Sequence, residues 1–199
     1  MQEEKGPEDA DAKIAPSVAS GYGFWWEITK VLLVSLAIVL PIRYFLVQPF
    51  IVRGASMEPT FEDSEYLIVD EVSYYLRVPA RGEVIVFRYP RDPSQFFIKR
   101  IIGLPGEEVD IKSGRVTIVN AEHPKGFVVD EAYLDPPNKP TYPDGERKLG
   151  LDEYFVLGDN RDFSSDSRVW GILPKKLITG RTLLRVWPPS RLGVVTATH

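Results

Sequence analysis

Three clusters in this chain carry side chains able to do chemistry. The first is Gly54-Ala55-Ser56-Met57-Glu58-Pro59-Thr60, where a serine follows Gly-Ala and precedes Met-x-Pro, a composition that favours a tight turn. On such a turn the Ser56 hydroxyl can act as a nucleophile while backbone N–H groups face a carbonyl. The bland reading is a serine that only caps or hydrogen-bonds locally. The second cluster is Lys99 within Phe97-Ile98-Lys99-Arg100-Ile101-Ile102. Strand alternation puts Phe97, Lys99 and Ile101 on one face and Ile98, Arg100 and Ile102 on the other. Either each face exposes one charge, as on many edge strands, or one charge is buried for a purpose. A lysine held dry drops from a pKa of about 10.4 toward 7–8, so the neutral amine can serve as a base. A shift of about three units costs about 4 kcal/mol, which the packing must supply. The third cluster is the polar run from Gly158-Asp159-Asn160-Arg161 through Ser164-Ser165-Asp166-Ser167-Arg168. It is either a solvated loop or a hydrogen-bonded wall beside a site.

Other chemistries are closed off by composition. The 199 residues include no cysteine, which excludes disulfides, thiol catalysis and Cys-based zinc sites. Of the two histidines, His123 lies in a Pro-rich stretch and His199 is the last residue. Neither suits a Ser-His-Asp relay, which needs an imidazole held firmly between two partners. The formal charge of −4 and the lack of a dense Lys/Arg face give no sign of a nucleic-acid partner.

The elements that must position these clusters begin with residues 1–23, read as a disordered acidic tail. Phe24-Trp25-Trp26 is an interfacial aromatic group, and after Lys30 the chain stays uncharged for about 12 residues until Arg43. That run alone is shorter than the roughly 20 residues of a spanning helix, but 24–47 is long enough if Lys30 and Arg43 snorkel to opposite interfaces. A cleaved signal peptide and a buried core helix fit less well than a transmembrane anchor. Lys5, Lys13 and Lys30 precede the span and lean toward a cytoplasmic N-terminus, leaving the rest extracytoplasmic.

Beyond residue 50 the sequence reads as short β-strands at 66–69, 83–89, 96–102, 109–111, 115–119, 154–157 and 181–187, with Ser113-Gly114 as a hairpin turn. This predicts a mainly β fold, closed or sandwiched, over 48–189. Pro124, Pro136, Pro137, Pro140 and Pro143 mark 120–150 as an inserted loop or small subdomain, and 190–199 reads as a C-terminal tail. Trp170 and Trp187 could dip into a bilayer or lie in the core.

Together the clusters resemble bacterial type I signal peptidase, also called leader peptidase, a family of Ser-Lys serine endopeptidases. The resemblance runs from Val31 to Pro189 and rests on four ordered blocks. These are Gln48-Pro49-Phe50 leading to Gly54-Ala55-Ser56-Met57-Glu58-Pro59-Thr60; Arg81-Gly82-Glu83-Val84-Ile85-Val86-Phe87; Ile98-Lys99-Arg100-Ile101-Ile102-Gly103-Leu104-Pro105-Gly106; and Gly158-Asp159-Asn160-Arg161 through Asp166-Ser167-Arg168. It implies a signal-peptidase/repressor-peptidase-like β fold of short antiparallel strands behind one transmembrane helix. The enzyme would sit in the cell membrane, cut secretory preproteins after a small residue at Ala-x-Ala type sites, and need no metal or cofactor. Its partners would be signal peptides and the lipid bilayer, with the protein-export channel nearby.

Residue by residue, the resemblance implies Ser56 as nucleophile, Lys99 as general base and Ser164 as the hydroxyl that orients the amine. Asp166 and Arg168 match a structural ion pair, with Arg100, Asp159 and Asn160 supporting the site. The Ser56 backbone N–H would be one oxyanion donor. Val52, Met57, Phe61, Phe97 and Ile98 would line the pockets for small side chains. One departure stands out: many relatives carry a serine at the position of Gly54, whose hydroxyl is the second oxyanion donor. Losing one such donor can cost about 10²–10³ in rate.

Three rivals differ in class or substrate. A self-cleaving repressor-type Ser-Lys peptidase is soluble and carries a DNA- or partner-binding module, whereas the segment before Ser56 is membrane-like and too small. A maturation peptidase of a conjugation or pilus system differs in substrate, not chemistry. A tethered β module that only binds extended peptides has no need of both Ser56 and Lys99.

Overall fold

The computed structural model describes residues 21–41 and 47–196. Residues up to Leu40 and those from Pro41 onward form separate compact units. In the first, no proline or glycine interrupts the chain from Phe24 to Leu40, and α1 (Gly21–Pro41) runs 21 residues. At 1.5 Å per residue it is about 31 Å long, the thickness of a bilayer's hydrocarbon core. Every side chain described between residues 23 and 40 is exposed, and from Val31 to Leu40 all of them except Ser35 are apolar. Its one described lysine, Lys30, pairs with Glu27 at 2.6 Å. The helix starts at Gly21, before the expected 24, and Val47, expected at the end of the span, already opens a strand. Residues 1–20 and 42–46, including most of the expected tail, lie outside the described residues.

The second unit is built from antiparallel strands: β1 (Val47–Ile51), β2 (Tyr66–Asp70), β3 (Val84–Tyr89), β4 (Asp92–Gly103), β5 (Glu108–Lys112), β6 (Arg115–Val119), β7 (Phe127–Val128), β8 (Gly145–Lys148), β9 (Glu153–Leu157), β10 (Leu173–Pro174), β11 (Ile178–Trp187) and β12 (Gly193–Val194). Two short helices, α2 (Ser73–Leu76) and α3 (Ser167–Trp170), interrupt them. The larger sheet has the order β1-β2-β11-β3-β4-β9-β10 with β12 on β11, and the smaller runs β7-β6-β5-β8. The β-branched and aromatic runs foreseen in the sequence supply β2, β3, β4, β5, β6, β9 and β11. Ser113 and Gly114 both adopt positive φ, 53° and 79°, as a two-residue hairpin turn of type I′ demands.

Packing brings the site together because the large sheet curls. From β1 to β4 there are four strand spacings, about 19 Å in a flat sheet. Yet Phe50 of β1 and Phe96 of β4 meet edge to face with ring centroids 5.3 Å apart. Register shifts in β11 between Thr182 and Leu184 and between Arg185 and Trp187 provide the extra local twist. Beneath the curl, Ile85, Phe87, Ile101, Val156 and Leu173 form a core that includes Trp170; each large apolar side chain buried contributes about 1.5–3 kcal/mol. Trp170 is thus a core residue, whereas Trp187 remains 54% exposed at the end of β11.

Two boundaries differ from expectation. Residues 120–150 are not a free-standing insert: β7 pairs with β6 and β8 with β5, completing the small sheet begun by the 108–119 hairpin. Nor is 190–199 a free tail over its described part. β12 pairs with Leu184 and Arg185 of β11, and Arg191 reaches Glu62 at 2.5 Å and Glu65 at 2.9 Å.

Gly103 ends β4 where the two sheets meet. A Cβ there would lie 2.5 Å from Val109 Cγ2, 2.7 Å from Leu149 Cδ1 and 3.0 Å from Phe155 Cβ. Gly103→Ala is therefore expected to destabilise the protein by about 1–3 kcal/mol, lowering Tm by about 2–10 °C in a thermal melt. An unchanged Tm would show that the sheets can part there without loss.

Candidate active site

The Ser56 turn is held from both ends. Val52 N–H donates to Glu65 O and Ser64 N–H to Val52 O, each at 2.9 Å, closing the base of the loop between them. Met57 and Phe61 are wholly buried beneath it, and Phe61 N–H donates to Met57 O at 2.8 Å. Gly54 has φ 82°, a conformation other residues reach only with strain, and its N–H donates to Asp63 Oδ1 at 2.6 Å. From the other side, Asn160 N–H donates to Ser56 O at 3.1 Å. The turn is thus fixed along its length, with the Ser56 side chain facing β4.

Lys99 comes from β4, where it pairs across from Ile85. Its side chain is only 4% exposed, and Nζ donates to Ser56 Oγ and to Ile98 O, both at 2.8 Å. Burial brings its pKa down from 10.5 to about 8, against the opposing pull of the Asp166 and Asp159 carboxylates. Arg100, next in the strand, is also buried, at 2% exposure. The alternation argument allowed one buried charge; the structure buries both. Arg100 is accommodated by a fork onto Asp159, with Nε to Oδ1 at 2.8 Å and a terminal nitrogen to Oδ2 at 2.6 Å, and by Gly82 O at 2.8 Å. Thr60 Oγ1 donates to Asp159 Oδ2 at 2.6 Å, tying the Ser56 turn to the same carboxylate.

The polar run after β9 forms a wall at Gly158, Asp159, Arg161, Asp166 and Ser167, which are buried, while Asp162, Phe163 and Ser165 stay exposed. Asp166 caps α3, accepting from Arg168 N–H at 3.2 Å and from Gly158 N–H at 3.1 Å. The Arg168 guanidinium forks onto it at 2.8 and 2.7 Å. Asn160 acts through its backbone N–H. Gly158 permits the close approach: a Cβ there would lie 2.5 Å from both Ser56 O and Ser164 Cβ.

Some expected placements differ in the structure. Ser164 packs against Gly158, but its buried hydroxyl has no hydrogen-bond partner among the described residues, because the Lys99 amine turns to Ser56 Oγ and Ile98 O instead. Gly54, the departure noted in the sequence, has no side chain to donate, and its N–H goes to Asp63 Oδ1. The Ser56 N–H makes no hydrogen bond among the described residues. Met57 and Phe61 are buried and pack with Val52, Leu67 and Val84 in a core under the turn; of these residues Val52 also lines the groove. Sequence reasoning also passed over Ser165, which faces the groove, and Thr60, Glu131, Tyr133 and Arg161, which brace it.

The groove has a volume of about 570 Å3, with Phe50, Ile51, Val52, Phe96, Phe97 and Ile98 in its walls and Ser56 and Lys99 facing into it. A serine oxygen touching a buried amine, beside a backbone N–H with no partner among the described residues and an apolar groove, is an arrangement able to perform acyl transfer. The family described as "Signal peptidase, peptidase S26" matches residues 25–187. A probable signal peptidase I-2 of Synechocystis sp. is 39% identical over 178 residues, 86% of this chain and 78% of its own. Signal peptidase I of Leptolyngbya laminosa is 38% identical, covering 94% of this chain and 92% of its own, and that of Pseudomonas fluorescens is 32% identical, covering 79% and 72%. The chain belongs to the peptidase S26 family as a bacterial type I signal peptidase, a serine peptidase that removes signal peptides from preproteins.

The depressed lysine has a consequence for stability. Below pH 8 Lys99 is protonated in both the folded and the unfolded chain, and the fold carries the full penalty of a buried ammonium. Between about pH 8 and 10.5 the unfolded chain keeps a proton the folded chain has shed, so this penalty falls as pH rises. Lys99→Met is therefore expected to stabilise the protein at pH 6 by about 1–3 kcal/mol in urea unfolding, with the gain fading toward pH 10.5. A variant less stable than the parent at pH 6 would contradict a strained amine.

Proposed function

We propose that Ser56 is the nucleophile and Lys99 the general base of an acyl-enzyme reaction that cuts secretory signal peptides after a small residue, at Ala-x-Ala type sites. The observation that carries this reading is the 2.8 Å contact between Ser56 Oγ and the buried Lys99 amine. In its neutral form Lys99 accepts the serine proton as the oxygen attacks the scissile carbonyl. The Ser56 N–H stabilises the developing oxyanion. The Lys99 ammonium then protonates the departing amine, and the neutral amine activates a water that hydrolyses the acyl-enzyme.

Strand edges support an extended substrate. Among the described residues β1 pairs only with β2, and β4 pairs with β9 only from Arg100 onward. Both strands therefore leave backbone groups unpaired along the groove, and a peptide lying between them adds a strand by main-chain hydrogen bonds. Val52, Phe97 and Ile98, which line the groove, suit a small side chain beside Ser56. Selection for alanine follows if larger side chains have no room.

The proposed setting is a single-pass protein of the cell membrane, anchored by α1, with the N-terminus cytoplasmic and the catalytic unit outside. The length and complete exposure of α1 support the span, and the lysines before it support the orientation. Sharing a membrane plane with preproteins near the export channel raises effective substrate concentration. No metal or cofactor enters the proposed steps.

The test is cleavage of a preprotein whose signal ends in Ala-x-Ala, by protein purified in detergent. Ser56→Ala and Lys99→Ala are each expected to lose at least about 10³-fold in kcat/KM; a Ser56→Ala as active as the parent would favour a peptide-binding module. Because the amine must be neutral to act, kcat/KM should rise with pH, with its midpoint near the Lys99 value of about 8, then level off. A profile already flat from pH 5 upward would remove Lys99 as the base.

A further inference from the structure

The loop between β7 and β8 turns back onto the wall of residues 158–168 and delivers two side chains to it. Glu131 and Arg161, each 3% exposed, meet in a buried pair. All five N–H groups of the Arg161 guanidinium are used, the full capacity of that side chain. Nε donates to Gly158 O at 3.0 Å. One terminal nitrogen donates to Glu131 Oε2 at 3.1 Å and to Thr141 Oγ1, the other to Glu131 Oε1 and to Tyr133 OH at 3.2 Å. Tyr133 in turn donates its hydroxyl to Glu131 Oε1 at 3.1 Å. Its ring lies 4.0 Å from the Arg100 guanidinium carbon, in range for cation–π stacking.

Both arginines end on groups that meet the Ser56 turn. Arg161 holds Gly158 O, and a Cβ on Gly158 would lie 2.5 Å from Ser56 O. Arg100 holds Asp159, which accepts from Thr60. Between them, Asn160 N–H donates to Ser56 O. A buried ion pair contributes little stability over an apolar replacement of the same shape, so stability alone gives weak grounds for this one. What it does here is fix the position of three consecutive residues.

We infer that Glu131 and Tyr133 are positioning residues for the Ser56–Lys99 pair: they lock Arg161 and Arg100, which hold residues 158–160 against the Ser56 carbonyl. This rests on the Ser-Lys reading above, and it gives the 120–150 segment a part in the chemistry beyond completing the small sheet.

The experiment compares Glu131→Gln, Tyr133→Phe and Tyr133→Leu with the parent and with Lys99→Ala. All are full-length proteins in detergent acting on one preprotein substrate, with rates normalised to the folded fraction from near-UV circular dichroism. Glu131→Gln and Tyr133→Leu are expected to lower kcat per folded molecule about 10–100-fold with KM within about twofold, the effect of misplacing a reacting group by a fraction of an ångström to an ångström. Tyr133→Phe, which keeps the ring over Arg100, is expected to recover most of the Tyr133→Leu loss. If Glu131→Gln does not fold, the Phe and Leu variants decide by themselves. Unchanged kcat per folded molecule, a loss confined to KM, or equal loss in both Tyr133 variants would overturn the inference. Lys99→Ala as active as the parent would remove its premise, which separates failure of the Ser-Lys reading from failure of the buttress.

Discussion

A lysine amine kept dry within 2.8 Å of a serine oxygen sets the terms for everything packed around it. Water would solvate the ammonium and hold its pKa near 10.5; removing water brings it to about 8. A carboxylate paired directly with Lys99 would undo that by favouring the charged form. The two nearest acids, Asp159 and Asp166, do pull in that direction, but each is engaged by an arginine, Arg100 and Arg168 respectively. The guanidiniums hold the carboxylate oxygens in ion pairs of their own, and burial outweighs what pull the acids keep on the amine.

This explains why so much charge is buried in so small a unit. Arg100–Asp159, Arg161–Glu131 and Arg168–Asp166 all lie at or near full burial. Breaking such a pair by removing one partner costs about 3–5 kcal/mol, although an apolar substitute for the whole pair would be neutral or better. Arginine suits the task because its planar fork binds a carboxylate through two parallel bonds and its charge does not titrate away. The result is a set of rigid struts, each acid matched by its own arginine, around an amine whose pKa burial has brought down to about 8. Ser164 shows the limit of this order: its hydroxyl is enclosed without a partner among the described residues, and an unsatisfied buried hydroxyl costs about 1–3 kcal/mol.

Much of this could be read from the chain, and the failures share a cause. Alternating and β-branched runs gave β2, β3, β4, β5, β6, β9 and β11, because those strands bury one face or both. β8 is Gly-Glu-Arg-Lys with every residue exposed, and β7, β10 and β12 have two residues each; segments so short or so polar leave no periodicity to detect. Ser56 and Lys99 stood out through their local blocks. The burial of Met57 and Phe61 under the turn was not legible, because an apolar residue beside a nucleophile looks the same whether the turn points it into the groove or beneath it. Glu131 and Arg161 lie 30 positions apart, one in a Pro-rich segment and one in a polar run, and no local pattern couples them. Contacts set by tertiary folding between irregular segments carry no such signature.

The open edges of β1 and β4 pose a problem that the proposed substrate would also resolve. Unpaired strand edges template association with other chains, and natural sheets usually blunt or cover them. β1 is short and contains Pro49, which lacks an N–H and is tolerated in edge strands. On β4, the Arg88 guanidinium stacks over Phe96 at 4.7 Å, placing a charge beside the exposed aromatic. Neither device closes the groove. Both leave strand edge open along the groove among the described residues, although Ile98 O already accepts from Lys99 Nζ at 2.8 Å, and the proposed peptide would pair with the backbone groups that remain. The same reasoning connects the curl of the sheet to the chemistry: a flat sheet would set β1 and β4 about 19 Å apart, too far for one extended peptide to touch both.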